Sequence, residues 1–189
     1  FQGDLGDDGL VACAKHWVGD GGTGGVDQGE TTISEAELRR VHIAPYLEAL
    51  GAGVLTVMAS YNSWNGDKCH GHRYLLTDVL KGELGFDGFV VSDWDGIDQL
   101  DDDYAEAVAR SVLAGVDMFM VPEKWREFLS ALRGHVESGR VPMPRIDDAV
   151  RRILRVKIAY GLLERPRPSA RPWSGHDSFG SEEHRAVAR

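Results

Sequence analysis

Asp93 ends an apolar run, Gly88-Phe89-Val90-Val91-Ser92, and is followed by an indole and a second acid in Trp94-Asp95-Gly96. The run is β-branched, bounded by glycine and too short for a helix, so it predicts a buried strand. In a parallel α/β fold the C-terminal end of each strand faces the site, and a carboxylate there is placed for catalysis. An acid at that position also serves to cap an element or satisfy a turn, and the stretch alone leaves both readings open. A second run, Gly9-Leu10-Val11-Ala12-Cys13-Ala14-Lys15-His16, predicts another buried strand that ends in charge. A third, Gly53-Val54-Leu55-Thr56-Val57-Met58-Ala59-Ser60, passes into Tyr61-Asn62-Ser63-Trp64-Asn65-Gly66.

The segments between these strands must position their ends. Ser34 with Glu37 three residues on forms a capping-box pattern, and the helix it opens runs to Gly51. Leu38, Val41, Ile43, Ala44, Leu47 and Leu50 approximate one apolar face of it. Arg73–Leu84 predicts a helix leading through Gly85-Phe86-Asp87-Gly88 into the Asp93 strand. Asp101-Asp102-Asp103 is read as the solvated acidic start of a helix over Tyr104–Ala114, since the spacing does not suit a calcium loop. Gly115–Pro122 predicts a fourth strand, followed by helices over Lys124–Glu137 and Pro144–Tyr160. Gly161–Gly180 is rich in Pro, Arg and Ser and reads as a linker. Strands alternating with helices imply a parallel α/β architecture, and alternation alone suits a doubly wound sheet or a barrel.

Gly19-Asp20-Gly21-Gly22-Thr23-Gly24 after the first strand is formally a dinucleotide fingerprint. Such a motif must open a helix whose N-terminus holds pyrophosphate. Here the loop continues through Val26-Asp27-Gln28-Gly29-Glu30, whose carboxylates repel phosphate, and the nucleotide reading is set aside. The net charge of −9 argues against nucleic acid, which calls for a basic stripe. No apolar run reaches membrane-spanning length. Cys13 and Cys69 make neither a disulfide framework nor a zinc pattern, and Cys13, inside an apolar run, reads as a buried thiol. Trp17, Trp64 and Trp125 are read as core or loop packing. The residues suggest no metal site and no cofactor.

Lys15-His16-Trp17-Val18-Gly19-Asp20-Gly21-Gly22-Thr23, Met58-Ala59-Ser60-Tyr61-Asn62-Ser63-Trp64-Asn65-Gly66 and Val91-Ser92-Asp93-Trp94-Asp95-Gly96-Ile97-Asp98 stand in this order at successive strand ends. With them the chain resembles glycoside hydrolase family 3, in the branch of exo-acting β-glucosidases and β-glucan glucohydrolases. The likeness extends through Ala114–Pro122 and Arg145–Leu154, and Phe1-Gln2-Gly3-Asp4 resembles a family segment upstream. The resemblance implies that residues 1–160 are the C-terminal half of a (β/α)8 TIM-type barrel of about four strand–helix units. It implies an interdomain linker over 161–180 and the start of a following α/β domain over 181–189.

The resemblance further implies roles. Asp93 matches the catalytic nucleophile, Lys15 and His16 the pair that binds glucose hydroxyls, Tyr61 a tyrosine near the nucleophile, and Trp94 an indole flanking the next sugar subsite. Asp20 lies in the same motif and reads as loop-structural as readily as ligand-binding. These roles suit the residue types. A retaining glycosidase attacks the anomeric carbon with an ionised carboxylate, Lys and His supply donors to hydroxyls, and an indole covers the apolar face of a sugar. The implied substrate is a β-glucoside or β-glucan oligosaccharide. The family takes its acid/base carboxylate from a second domain, and Glu182 and Glu183 match no such position. The alternative expectation is therefore a catalytically incomplete carbohydrate-binding or scaffold fragment. The resemblance suggests a periplasmic or secreted protein; the residues themselves do not state the compartment.

Overall fold

The computed structural model describes Leu5 and residues 9–189; Phe1, Gln2, Gly3 and Asp4, which resemble a family segment, lie outside the described residues. Strands are β1 (Cys13–Trp17), β2 (Glu30–Thr31), β3 (Thr56–Ala59), β4 (Ser63–Trp64), β5 (Asp67–Lys68) and β6 (Phe89–Val91). Helices are α1 (Glu35–Glu37), α2 (Ala44–Gly51), α3 (Tyr104–Ala114), α4 (Trp125–Glu137), α5 (Met143–Ala159) and α6 (Glu182–Val187). A further helix of wide turns, Tyr74–Glu83, leads into β6.

β1, β3 and β6 form a parallel sheet in that order. Thr56, Val57 and Met58 of β3 stand opposite Phe89, Val90 and Val91 of β6. The period-2 alternation of a strand then divides the core. Val57, Ala59 and Val90 face one apolar cluster with Trp17, Leu38, Leu76 and Leu80. Met58, Phe89 and Val91 face another, with Val156 of α5. The indole of Trp17 is fully buried, donates Nε1–H to the Leu75 carbonyl at 3.1 Å and meets Tyr46 edge-on at 4.8 Å. The parallel α/β class is the one expected.

The predicted fourth strand is reduced to a single bridge, Val91 to Met118. Asp117 is the reason: its Oδ2 takes the Val90 N–H at 2.8 Å, so a side chain occupies a ladder position. The same carboxylate accepts from Lys81 Nζ at 2.8 Å and from Arg145 Nη2 at 2.5 Å. The segment remains attached, because Ser92 N–H donates to the Met118 carbonyl and Ser92 Oγ accepts from Met120 N–H.

The helix opened by Ser34 also departs from the expected pattern. Ser34 Oγ accepts the Glu37 N–H at 3.2 Å, while the Glu37 carboxylate pairs with Arg40 instead of closing the capping box. Between α1 and α2, residues Leu38–Ile43 form a wide turn in which Ala44 N–H bonds Arg39 O. One extra residue in that turn rotates the downstream face. Leu38, Ile43 and Tyr46 are buried, and Val41 and Leu47 are exposed, contrary to the predicted stripe. Cys13 is exposed rather than buried, because β1 has a strand neighbour on one side only among the described residues. Trp125 opens α4 half-exposed with Arg126 stacked on it at 4.1 Å, outside the core.

Asp103 caps α3 by accepting the Ala105 N–H at 2.9 Å, as the acidic run suggested. Residues 161–180 carry turns and one short 3-10 turn, Pro168–Ala170, and Ser181 caps α6.

Candidate active site

The residues of interest gather at the C-terminal ends of the parallel strands. His16 is the fourth residue of β1, Tyr61 lies two residues beyond β3, and Asp93 two residues beyond β6. Lying at one end of one sheet, these side chains can meet although 77 positions separate the first from the last. His16 Nε2 stands 3.5 Å from Asp93 Oδ2, and its Nδ1 stands 3.4 Å from Asp20 Oδ2. The imidazole thus links the Gly-rich loop to the Asp93 carboxylate. The other Asp93 oxygen, Oδ1, accepts the Trp94 N–H at 2.7 Å. A carboxylate held by one N–H donor and one imidazole, and still partly accessible, is ready to act as a nucleophile or ligand for a polar substrate.

Tyr61 is half-buried beside this pair. Burial, and then the negative charge of Asp93, push its hydroxyl pKa up, so the phenol stays a hydrogen-bond donor. Trp94 is 60% exposed, an indole available to cover an incoming apolar surface. Lys15 is exposed, and among the described residues the ion pairs at this site are made by His16. The structure brings His16, Asp20, Tyr61 and Asp93 together; it does not pair Lys15 with Asp93.

The loops around the site are tied to one another. Glycines 19–24 make a short 3-10 turn, Asp20–Gly22, rather than opening a helix. Gly22 is required there, since a Cβ would lie 2.5 Å from Thr31 Cγ2. Thr31 Oγ1 donates to the Gly19 carbonyl at 2.7 Å and accepts from Asn62 Nδ2 at 3.3 Å. Lys68 Nζ donates to the carbonyls of Gln28 and Tyr61 at 3.2 and 3.1 Å. β2 pairs with β4, and β4 with β5, in a small second sheet that fixes the same loops and that the loop-like sequence did not announce. Asp95, with φ of 51°, turns the chain sharply after Trp94, and burial followed by the nearby Asp98 raises its carboxyl pKa.

One residue that sequence reasoning missed is His70, in the short turn Cys69–Gly71. It is 1% exposed, its Nε2 accepts the Asp93 N–H at 2.8 Å, and its ring meets Tyr61 edge-on at 5.7 Å. Burial lowers its pKa to about 4 against the opposing pull of Asp93, so the ring is neutral near pH 7. The sequence offered no periodicity or motif to mark it; only the fold brings it under Asp93. Among the described residues no group of three or more His, Cys, Asp or Glu side chains is arranged to hold a metal ion.

Comparison with known proteins places the chain in a family. The profile of the glycosyl hydrolase family 3 N terminal domain matches residues 2–156. The chain is 38% identical over 177 residues to a lysosomal beta glucosidase of Dictyostelium discoideum, covering 89% of this chain and 21% of that protein. It is 36% identical over 163 residues to a periplasmic beta-glucosidase of Salmonella typhimurium, covering 83% of this chain and 21% of that one. The crystal structure of an exo-1,3/1,4-beta-glucanase from a Pseudoalteromonas species superposes with a TM-score of 0.92 at 49% identity, over 99% of this chain and 24% of the other. A mutant beta-glucosidase from Listeria innocua, crystallised in complex with laminaribiose, superposes at 0.88 with 28% identity, over 100% of this chain and 27% of its own. The chain spans about a fifth of the length of the Dictyostelium and Salmonella relatives. On the profile match, these identities and the shared fold, the chain belongs to glycosyl hydrolase family 3, and its parallel α/β fold is part of that family's TIM-type barrel.

Proposed function

We propose that this chain supplies the nucleophile and part of the glucose-binding surface of a retaining exo-β-glucosidase acting on β-glucosides or β-glucan oligosaccharides. The observation that carries the reading is the meeting of Asp93 and His16 at the C-terminal ends of β6 and β1. Asp93 attacks the anomeric carbon through an oxocarbenium-like transition state and forms a covalent glycosyl ester; water then releases glucose with retained configuration. His16 and Lys15 donate to sugar hydroxyls, Tyr61 donates from a phenol kept protonated beside the nucleophile, and Trp94 covers the next sugar ring.

The reading requires a second carboxyl group to protonate the leaving oxygen and later activate water. Asp20 pairs with His16 and Asp98 with Lys124, and on the family resemblance this reading draws the acid/base group from outside these residues. The 189 residues alone are then catalytically incomplete. The relatives named beta-glucosidases and the laminaribiose complex support the substrate class.

Asp93→Asn in the full-length enzyme tests the role. It keeps the side-chain shape and the Trp94 N–H bond while removing the attacking charge. Turnover of an aryl β-glucoside falls by several orders of magnitude with the melting temperature nearly unchanged. Turnover within tenfold of wild type excludes Asp93 as nucleophile.

A further inference from the structure

We propose that His70 is the positioning residue for Asp93, holding the nucleophile's backbone from beneath without adding charge to the site. The inference rests on the reading of Asp93 as nucleophile. The Asp93 N–H is part-buried and turned toward the buried His70 ring, where loss of its acceptor costs up to about 1–3 kcal/mol. His70 Nε2 accepts it at 2.8 Å. A nitrogen that accepts carries no proton, so in the neutral ring the proton lies on Nδ1, and the ring also hydrogen-bonds the Ser60 backbone. The ring therefore spans from the end of β3 to the end of β6, joining the two strands that carry Tyr61 and Asp93.

The choice of imidazole has a physical reason. A carboxylate in this position would place a second negative charge beside Asp93 and raise its pKa. A lysine would offer no acceptor. A neutral imidazole of fixed tautomer accepts on one side and donates on the other, and burial keeps it neutral. The groups that act on it electrostatically are Asp93, Lys68 and His16, and burial outweighs them all. The surroundings are shaped to this ring. A Cβ on Gly96 would lie 2.5 Å from both Nε2 and Cε1 of His70, so only glycine lets the ring sit there. The Tyr61 ring packs edge-on against it. The bond anchors the Asp93 backbone beneath a carboxylate that meets the Trp94 N–H and His16.

The test uses the full-length enzyme and a 2-deoxy-2-fluoro-β-glucoside with an activated leaving group, which accumulates the covalent intermediate. The first-order labelling constant is measured per site finally labelled, so misfolded molecules drop out. A misplacement of about 1 Å is worth about a hundredfold in rate. His70→Phe therefore lowers the labelling constant about a hundredfold, with the inactivator's dissociation constant changed less than threefold. His70→Gln, which keeps an acceptor, recovers it to within tenfold. Label on Asp93 at an unchanged rate in His70→Phe overturns this inference alone. Label on another carboxylate overturns the nucleophile reading and this inference with it. Should His70→Phe fail to fold, nitrogen-15 NMR of the wild-type enzyme decides. A bare Nε2 with a protonated Nδ1 supports the assignment, and a protonated Nε2 overturns it.

Discussion

Asp117→Asn is the perturbation whose cost can be worked most fully from the structure. The Asp117 side chain is wholly buried and holds Lys81 and Arg145, whose side chains are 7% and 13% exposed. Asparagine can still accept the Val90 N–H, so the loss falls on the two cations. Burial lowers the Lys81 pKa from 10.5 to about 8 even with Asp117 present. Keeping that amine charged costs about 3 kcal/mol, and discharging it at pH 7 would cost about 5 kcal/mol, at about 1.4 kcal/mol per tenfold change. Lys81 can thus lose only on the order of 1 kcal/mol before it sheds its proton. Arg145 cannot shed its own. It keeps Asp148 at 3.0 Å and the carbonyls of Val112 and Val116 at 2.9 and 2.8 Å. Its loss is about 1–3 kcal/mol, one charged hydrogen bond.

The total is about 2–4 kcal/mol, at the lower edge of what breaking a buried ion pair costs. The pH dependence has a definite sign. A buried amine with a depressed pKa binds fewer protons folded than unfolded, so stability rises with pH between its folded value and 10.5. Wild type gains only above about pH 8, whereas the variant already gains between pH 7 and 8. The penalty therefore shrinks by about 1 kcal/mol over that interval and is constant above it. Hydrogen exchange at Val90 and Ser92 in the full-length protein, corrected for intrinsic rates, reads the opening free energy. Unchanged protection, or a penalty that does not vary between pH 7 and 8, would refute the reasoning.

Gly88→Ala places a Cβ 2.0 Å from the Leu55 carbonyl oxygen and 2.7 Å from Phe86 Cζ, forcing β3 and β6 apart; soluble yield and melting temperature should both drop sharply, and a normal melt would contradict the packing. Trp94→Ala removes an exposed indole; KM for a β-glucan oligosaccharide should rise about tenfold, with far less effect on an aryl glucoside, the size of one lost aromatic contact. The 189-residue chain alone should associate or stay loosely folded in sedimentation and hydrolyse no aryl glucoside. Among the described residues the sheet of β1, β3 and β6 with its bridge at Met118 has edges left to pair, and α5 exposes Val150, Leu154 and Ile158. A compact, active monomer would contradict it.

Much of the scaffold is legible in the sequence because its signals are local. Ser34 and Asp103 cap helices through their own side chains, and the apolar runs around Val57 and Val90 alternate as strands must. The place of Asp93 at a strand end is legible from the buried run before it, while the stretch alone leaves its role open and only the resemblance of the surrounding motif suggests one. What is not legible depends on partners distant in sequence. Asp117 lies inside an apolar run, and its carboxylate takes the Val90 N–H while Lys81 and Arg145 come to it from distant positions. Cys13 reads as core until the neighbour on one side of β1 is seen to be missing among the described residues. The wide turn at Leu38–Ile43 shifts a face that a fixed helical period cannot follow. His70 is the extreme case, a lone histidine whose role exists only once Ser60, Asp93 and Gly96 surround it.

The most direct test of the central claim is peptide mapping of the full-length enzyme after inactivation with a 2-deoxy-2-fluoro-β-glucoside. A covalent glycosyl ester should be found on the peptide containing Asp93, one per active site, and its formation should be prevented by Asp93→Asn. A glycosyl ester on any other carboxylate, or inactivation without covalent label, would contradict the account.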